Sequence, residues 1–246
     1  MGKVRLDLLL VERGLFMTRT KAQAALMAGK VLVEGRSGPK PGMMVPADVR
    51  VSVLADAVPY VSRGGLKLAA ALDAFKVRIE GRTAVDVGAS TGGFTDCLLQ
   101  RGARKVYAVD VGHGQLDAKL RADPRVVCLE RTHARDMSPA LFGEDAALLD
   151  LAVMDVSFIS LTKVLPAVIA CLRPRSKIVA LIKPQFELEP KKVPKGVVRK
   201  EEYRREAVEK VRAFALGTAF RERGLMESPV KGPKGNVEFL WYIANF

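Results

Sequence analysis

Four charged residues, Lys67, Asp155, Lys183 and Glu238, stand far apart in the sequence, each inside a short segment marked by glycine, proline or aromatic residues. The segments are Tyr60-Val-Ser-Arg-Gly-Gly-Leu-Lys67, Met154-Asp-Val-Ser-Phe158, Leu181-Ile-Lys-Pro-Gln-Phe-Glu187 and Gly235-Asn-Val-Glu-Phe239. Two amines and two carboxylates brought together would suit removal of a proton from a very weak acid, such as a sugar hydroxyl. Lys183 is expected nearest that hydroxyl. Lys67 beside it and partial burial would favour its neutral form, whereas Asp155 and Glu238 would favour the charged one. Both a neutral base and a charged stabiliser of the forming alkoxide therefore stay open.

The run Asp86-Val-Gly-Ala-Ser-Thr-Gly-Gly-Phe94 joins a strand-like stretch to a helical one, the place where α/β sheets bind nucleotides. A dinucleotide loop would have glycine where Ser90 stands, and no Gly-Lys-Ser/Thr phosphate loop occurs. With Asp86, Gly88, Ser90, Gly92, Gly93 and Phe94, the loop suits the amino-acid end of S-adenosylmethionine better than a diphosphate. Asp110, followed by Val111, closes the next strand about twenty residues on, where a carboxylate can accept ribose hydroxyls. Asp136, after a third strand, is placed to take an adenine amino group. His113 has no acid at helical spacing and reads as a pocket wall or surface residue. Together these features predict methyl transfer to a ribose 2′-hydroxyl of RNA.

The elements that must position these residues alternate along the chain. Strands are expected at 82–88, 105–110, 125–129, 149–155 and 177–183, and helices at 65–75, 92–101, 113–121, 160–172 and 201–223. Such alternation predicts a parallel sheet with helices on both faces, an α/β fold. The last apolar run, Val237-Glu-Phe-Leu-Trp-Tyr-Ile, has no crossover helix after it and is expected to close the sheet as an antiparallel strand. Residues 1–58 read differently. A helix over 5–14 stops at Gly14, and a second, capped by Thr18, runs through Lys21 to Ala28. Strands follow at 31–34 and 49–54, and Arg5, Arg13, Arg19, Lys21 and Lys30 decorate the unit.

This N-terminal segment resembles the alpha-L RNA-binding motif of small-subunit ribosomal protein four, pseudouridine synthases and tyrosyl-tRNA synthetases. The likeness rests on Arg5-Leu-Asp-Leu-Leu-Leu, Arg13-Gly-Leu, Thr18-Arg19, Ala22 and Ala28-Gly-Lys-Val-Leu-Val-Glu-Gly35. Residues 59–246 resemble FtsJ/RrmJ-type ribose methyltransferases with their Lys-Asp-Lys-Glu tetrad, and the whole chain, through the motifs quoted above, resembles TlyA proteins. The resemblance implies a small α+β RNA-binding domain ahead of a Rossmann-like, S-adenosylmethionine-dependent sheet. It further implies a tetrad of Lys67, Asp155, Lys183 and Glu238 acting on cytidine 2′-hydroxyls in ribosomal RNA. The short N-terminus resembles the shorter TlyA form, which implies a large-subunit target. After Phe186 the chain departs from the family pattern and turns basic. Lys191, Lys192, Lys195 and Arg199 are expected, with Arg63, to contact RNA phosphates.

A net charge of +13 over 246 residues fits a polyanionic partner, here ribosomal RNA or a ribosomal subunit. Residues 1–60 hold nine Lys/Arg against five Asp/Glu, so the remainder carries +9. Cys97, Cys128 and Cys171 are widely spaced, which with only His113 and His133 gives neither a zinc set nor a disulfide framework. Asp7 and Glu12 interrupt the N-terminal leucine run, and no apolar stretch approaches the roughly twenty residues of a membrane span. The expectation is a cytoplasmic enzyme without metal or membrane contact, of unspecified oligomeric state. Two rivals are a membrane-active haemolysin, a label TlyA-like proteins bear, and a non-catalytic ribosome-assembly factor.

Overall fold

The computed structural model describes residues 3–13, 15–16, 19–37, 39–53 and 59–246, with Lys21, Arg36, Ser37 and Pro233 described by backbone alone. The chain divides into two compact units, Met1–Pro59 and Tyr60–Phe246.

The first unit contains β1 (Lys3–Arg5), α1 (Leu6–Glu12), α2 (Arg19–Met27), β2 (Val31–Val33), β3 (Arg36–Ser37), β4 (Met44–Pro46) and β5 (Val51–Val53). β1 pairs with β4, and β2 lies between β3 and β5, all antiparallel. Leu6, Leu9 and Leu10 of α1 pack on Ala22 and Leu26 of α2 and on Val31 and Val45. Fully buried Asp7 accepts from Arg5 Nη2 (2.9 Å), Arg19 Nε (2.9 Å) and Gln23 Nε2 (2.6 Å). Those donors, Arg5 foremost, hold its carboxyl well below the usual carboxylate range. Gly14 and Thr18, the expected helix stop and cap, lie outside the described residues. The β1–β4 pair was not foreseen, because three-residue strands carry almost no periodicity.

The second unit opens with α3 (Gly64–Ala74), followed by β6 (Thr83–Val87), α4 (Gly93–Gln100), β7 (Lys105–Val109), α5 (Ala118–Arg121) and β8 (Val126–Leu129). Then come β9 (Leu149–Met154), α6 (Leu161–Cys171), β10 (Lys177–Ile182), α7 (Pro184–Glu187), α8 (Glu201–Leu216), β11 (Arg221–Glu227) and β12 (Phe239–Ala244). They build one seven-stranded sheet in the order β11-β12-β10-β9-β6-β7-β8. β6 to β10 run parallel, and β12 is antiparallel to both neighbours. Strand alternation feeds two cores. Val85, Val87 and Met154 face α6 and α8 through Val164 and Val211, while Ala84 and Val153 face α3 and α4 through Leu68 and Leu98. Chain direction across the sheet reverses between β6 and β9, which opens a crevice at their carboxyl ends.

Two sequence expectations fail. The helix expected at 113–121 shrinks to Ala118–Arg121, because Gly112 and Gly114 give their amides to the side chains of Asp110 and Glu130 instead of a helical ladder. The helix expected at 201–223 ends at Leu216, and Arg221–Glu227 is the edge strand β11. Its charges, Arg221, Glu222, Arg223 and Glu227, guard an open edge, and that same pattern imitated a solvated helix. No helix among the described residues is long and apolar enough to cross a membrane.

Candidate active site

β6 ends at Val87 and turns through Gly88 (φ +85°), Ser90 (φ +48°) and Gly92 (φ +95°) before α4 begins. A Cβ on Gly88 would sit 2.8 Å from the Asp155 carbonyl oxygen, and one on Gly93 would sit 2.9 Å from the Gly65 amide nitrogen. Glycine thus lets the loop slide between the end of β9 and the start of α3. Asp110 ties the loop to the next strand end, accepting from Ser90 N (2.8 Å) and Gly112 N (2.7 Å).

Two cavities meet at Asp155. One, of about 400 Å³, is lined by Ser62, Arg63, Lys67, Lys183 and Lys231. The other, of about 880 Å³, runs from Asp110, Val111 and Gln115 past Thr132–Arg135 to Phe158. Gly88, Ser90, Asp155 and Ser157 line both, so one ligand can hand a group to another across Asp155.

The four expected residues gather there as two ion pairs. Lys183, at the end of β10, holds Nζ 2.6 Å from Asp155 Oδ1 at the end of β9 and donates to Ser157 Oγ at 2.8 Å. Lys67, on α3, donates to Glu238 Oε2 at 2.6 Å. Glu238 precedes β12, is completely buried, and receives Gln185 Nε2 on Oε1 at 3.2 Å. A Cβ on Gly232 would lie 2.0 Å from that same Oε1, so only glycine lets this loop close over the carboxylate. Parallel strands carry Asp155 and Lys183 to one edge of the sheet, and antiparallel β12 returns Glu238 to the same edge from the opposite direction.

The cofactor candidates divide. Gly88, Ser90, Gly93 and Phe94 line the smaller cavity, and Asp110 and Val111 the larger. Gly92 packs on Leu116 and Leu120. Asp86 lies beneath the loop, outside both linings, where Thr95 Oγ1 donates to Oδ2 at 2.7 Å and buried Oδ1 has no partner. Burial chiefly, with the charges of Asp155 and Asp110, pushes its carboxyl up to about 7 against the Thr95 hydrogen bond. Asp136 is exposed on the turn Ala134–Asp136, which His133 caps, and lies outside both linings, whereas Thr132–Arg135 form the wall. His113 does have an acid partner: Glu130, from the end of β8, meets Nδ1 at 2.8 Å.

The expected RNA contacts also divide. Arg5 and Arg19 engage Asp7, and Arg13 donates to Val49 O (2.7 Å) and Ala47 O (2.6 Å). Lys30 is half-buried, and the Lys21 side chain lies outside the described residues. Lys192 is paired with Glu206 at 2.6 Å, whereas Lys191, Lys195 and Arg199 are exposed. Asn236 fastens this basic loop beside the site through Gly196 O (2.8 Å) and Val198 N (3.0 Å).

Sequence reading gave no site role to Ser62, Ser157, Gln185, Lys231 or Gly232. Ser157 and Gln185 lie inside the charged motifs, two residues past Asp155 and Lys183, and that spacing was their available signal. Phe158 ends one of those motifs, yet its residue type alone assigned it no task. It is 91% exposed with φ +63°, its ring 5.0 Å from that of Phe186 at the mouth of the larger cavity.

The FtsJ-like methyltransferase family model matches residues 60–244. The 16S/23S rRNA (cytidine-2′-O)-methyltransferase TlyA of Mycobacterium tuberculosis is 46% identical over 242 residues, covering 97% of this chain and 89% of that protein. Hemolysin A of Brachyspira hyodysenteriae is 40% identical over 238 residues, covering 96% of this chain and 98% of that protein. A solved structure from Streptococcus thermophilus, carrying a provisional hemolysin name, superposes with a TM-score of 0.79 at 43% identity, over 100% of this chain and 89% of that one.

Proposed function

Since the chain belongs to the FtsJ-like methyltransferase family, alongside its TlyA relatives, we propose that it methylates a ribose 2′-hydroxyl, cytidine's, in ribosomal RNA using S-adenosylmethionine. The observation that carries this reading is the meeting of two lysine–carboxylate pairs at the smaller cavity, which shares its Asp155 wall with the larger.

The larger cavity fits a nucleoside cofactor. Asp110 keeps acceptor capacity beyond its two backbone bonds, and Val109, Val111, Ala134 and Val156 offer apolar walls to a base. When bound, S-adenosylmethionine supplies an electrophilic methyl group. The chain's own residues supply the rest. As the ribose oxygen attacks, its proton passes to Lys183 Nζ, or to solvent while a Lys183 ammonium steadied by Asp155 and Ser157 stabilises the alkoxide. Lys67, fixed on Glu238, adds a second positive charge against the developing alkoxide. Arg63 and Lys231 at the rim of the smaller cavity suit the phosphates flanking the target nucleotide. Phe158 presents a stacking face to a base drawn out of its helix. The first unit, with its excess of basic residues, is assigned to RNA binding.

The test incubates purified protein with each ribosomal subunit from cells lacking the gene, using methyl-labelled S-adenosylmethionine. Mass mapping is expected to place the label on a cytidine ribose of ribosomal RNA. Label on a base, or none, would overturn the reading.

A further inference from the structure

We propose that Gln185 is a positioning residue: it orients Glu238, and through Glu238 the Lys67 ammonium, for the reaction assigned above, on which this inference rests. The buried carboxylate is held on three sides, by Lys67 on Oε2, by the Gln185 amide on Oε1, and by the Gly232 backbone, which leaves no room for a side chain. Gln185 lies outside the linings of both cavities, so it acts through Glu238 and not on a reactant.

Its amide has a forced orientation. Oε1 of Gln185 is buried without a partner, which normally costs free energy. Turning the amide would direct that oxygen at a carboxylate oxygen and lose the one hydrogen bond that, among the described residues, the Glu238 carboxylate receives besides that of Lys67. The unmet carbonyl is the cost of keeping Nε2 on Glu238. Backbone geometry adds a further link. Lys183 is extended (φ −110°, ψ 99°) and Pro184 starts the single turn α7, so residues 183 and 185 leave one rigid joint toward different ion pairs. Lys183 reaches Asp155 and Gln185 reaches Glu238, so this joint touches both pairs.

The experiment compares the full-length parent with Gln185→Leu and Gln185→Glu. Gln185→Leu is expected to lower kcat about 10- to 100-fold, with cofactor affinity by calorimetry changed less than about twofold. In Gln185→Glu the introduced carboxyl can donate to Glu238 only while protonated. Its kcat relative to the parent should therefore recover as pH falls, whereas that of Gln185→Leu stays flat. The charged groups around this position are Glu238 and Lys67, Lys183 and Asp155 across the joint, and Glu187 with Lys210 where α8 packs on α7, and all are common to the three proteins. Independently of turnover, acylation of Lys67 by an amine-directed reagent, read by peptide mass mapping, should quicken in Gln185→Leu. A kcat within twofold of the parent, identical pH profiles for both variants, or unchanged Lys67 labelling would each overturn the role. A parent that transfers no methyl group overturns the proposed function instead, and the labelling result still decides Gln185. Should Gln185→Leu fail to fold, the pH profile and Lys67 labelling of Gln185→Glu decide.

Discussion

Lys183 has an ion-pair partner at 2.6 Å and a hydroxyl partner at 2.8 Å, so its ammonium is aimed before any substrate arrives. Removing it should leave the cofactor cavity intact, because its contacts are with the shared wall and not with the Asp110 end. Lys183→Ala is therefore expected to cut turnover by at least about 100-fold while cofactor affinity, measured separately by calorimetry, stays within about threefold. Asp86 makes a different kind of prediction. Its carboxyl rises from the ordinary 3.8 to about 7 on folding, chiefly through burial. A raised acid contributes stability that is fully present below the unfolded value and is lost as pH climbs through the folded one. Urea unfolding between pH 5 and 8 should show the parent losing up to about 1.4 kcal/mol per pH unit from this group, with that slope gone in Asp86→Asn. A parallel pair of curves would mean that Asp86 titrates normally.

At the level of the elements, the loop after β9 carries the clearest signature of use. Phe158 holds a left-handed backbone and a ring almost wholly in solvent, two unfavourable features with only the Phe186 ring recorded against it. Base stacking on an aromatic ring contributes about 1–3 kcal/mol, so Phe158→Ala should weaken RNA binding by about 5- to 150-fold in filter assays while Phe158→Trp retains it. An unchanged affinity for Phe158→Ala would detach the ring from the substrate. Much of this site was legible in the sequence, since a charged residue beside Gly, Pro or Phe at the end of an apolar run marks a strand leaving a buried sheet for a working edge. Asp155 and Lys183 were visible in that way, Glu238 at the start of such a run, and Lys67 by the glycine pair before it. Gln185 and Gly232 were not, because their tasks depend on which residue of α7 or of the loop before β12 comes to rest on Glu238. Tertiary contact decides that, and no local pattern records it. The edge strand β11 was hidden for a related reason: a strand with one guarded, solvated side loses the apolar alternation by which strands are recognised. Arg5, Arg13 and Arg19 looked like a binding face, yet part of their hydrogen bonding is taken up inside their own unit.

Across the whole molecule, a charge of +13 sets how the chain meets RNA at a distance, and the loop fastened by Asn236 concentrates part of it beside the site. Lys192 is already neutralised by Glu206, so Lys191, Lys195 and Arg199 should carry the local phosphate contacts. Replacing those three by Ala is expected to flatten the plot of log affinity against log salt by about 0.7 for each phosphate no longer neutralised, with Lys192→Ala alone nearly silent. An unaltered slope in the triple variant would place the RNA elsewhere. The Lys67–Glu238 bond joins positions 171 residues apart, and it exists only when β12 has slotted between β10 and β11. During synthesis the first unit and most of the sheet emerge from the ribosome well before that strand does. A nascent chain can therefore begin to fold, and even to touch RNA, while still chemically inert, and the enzyme switches on only as its closing strand is threaded home.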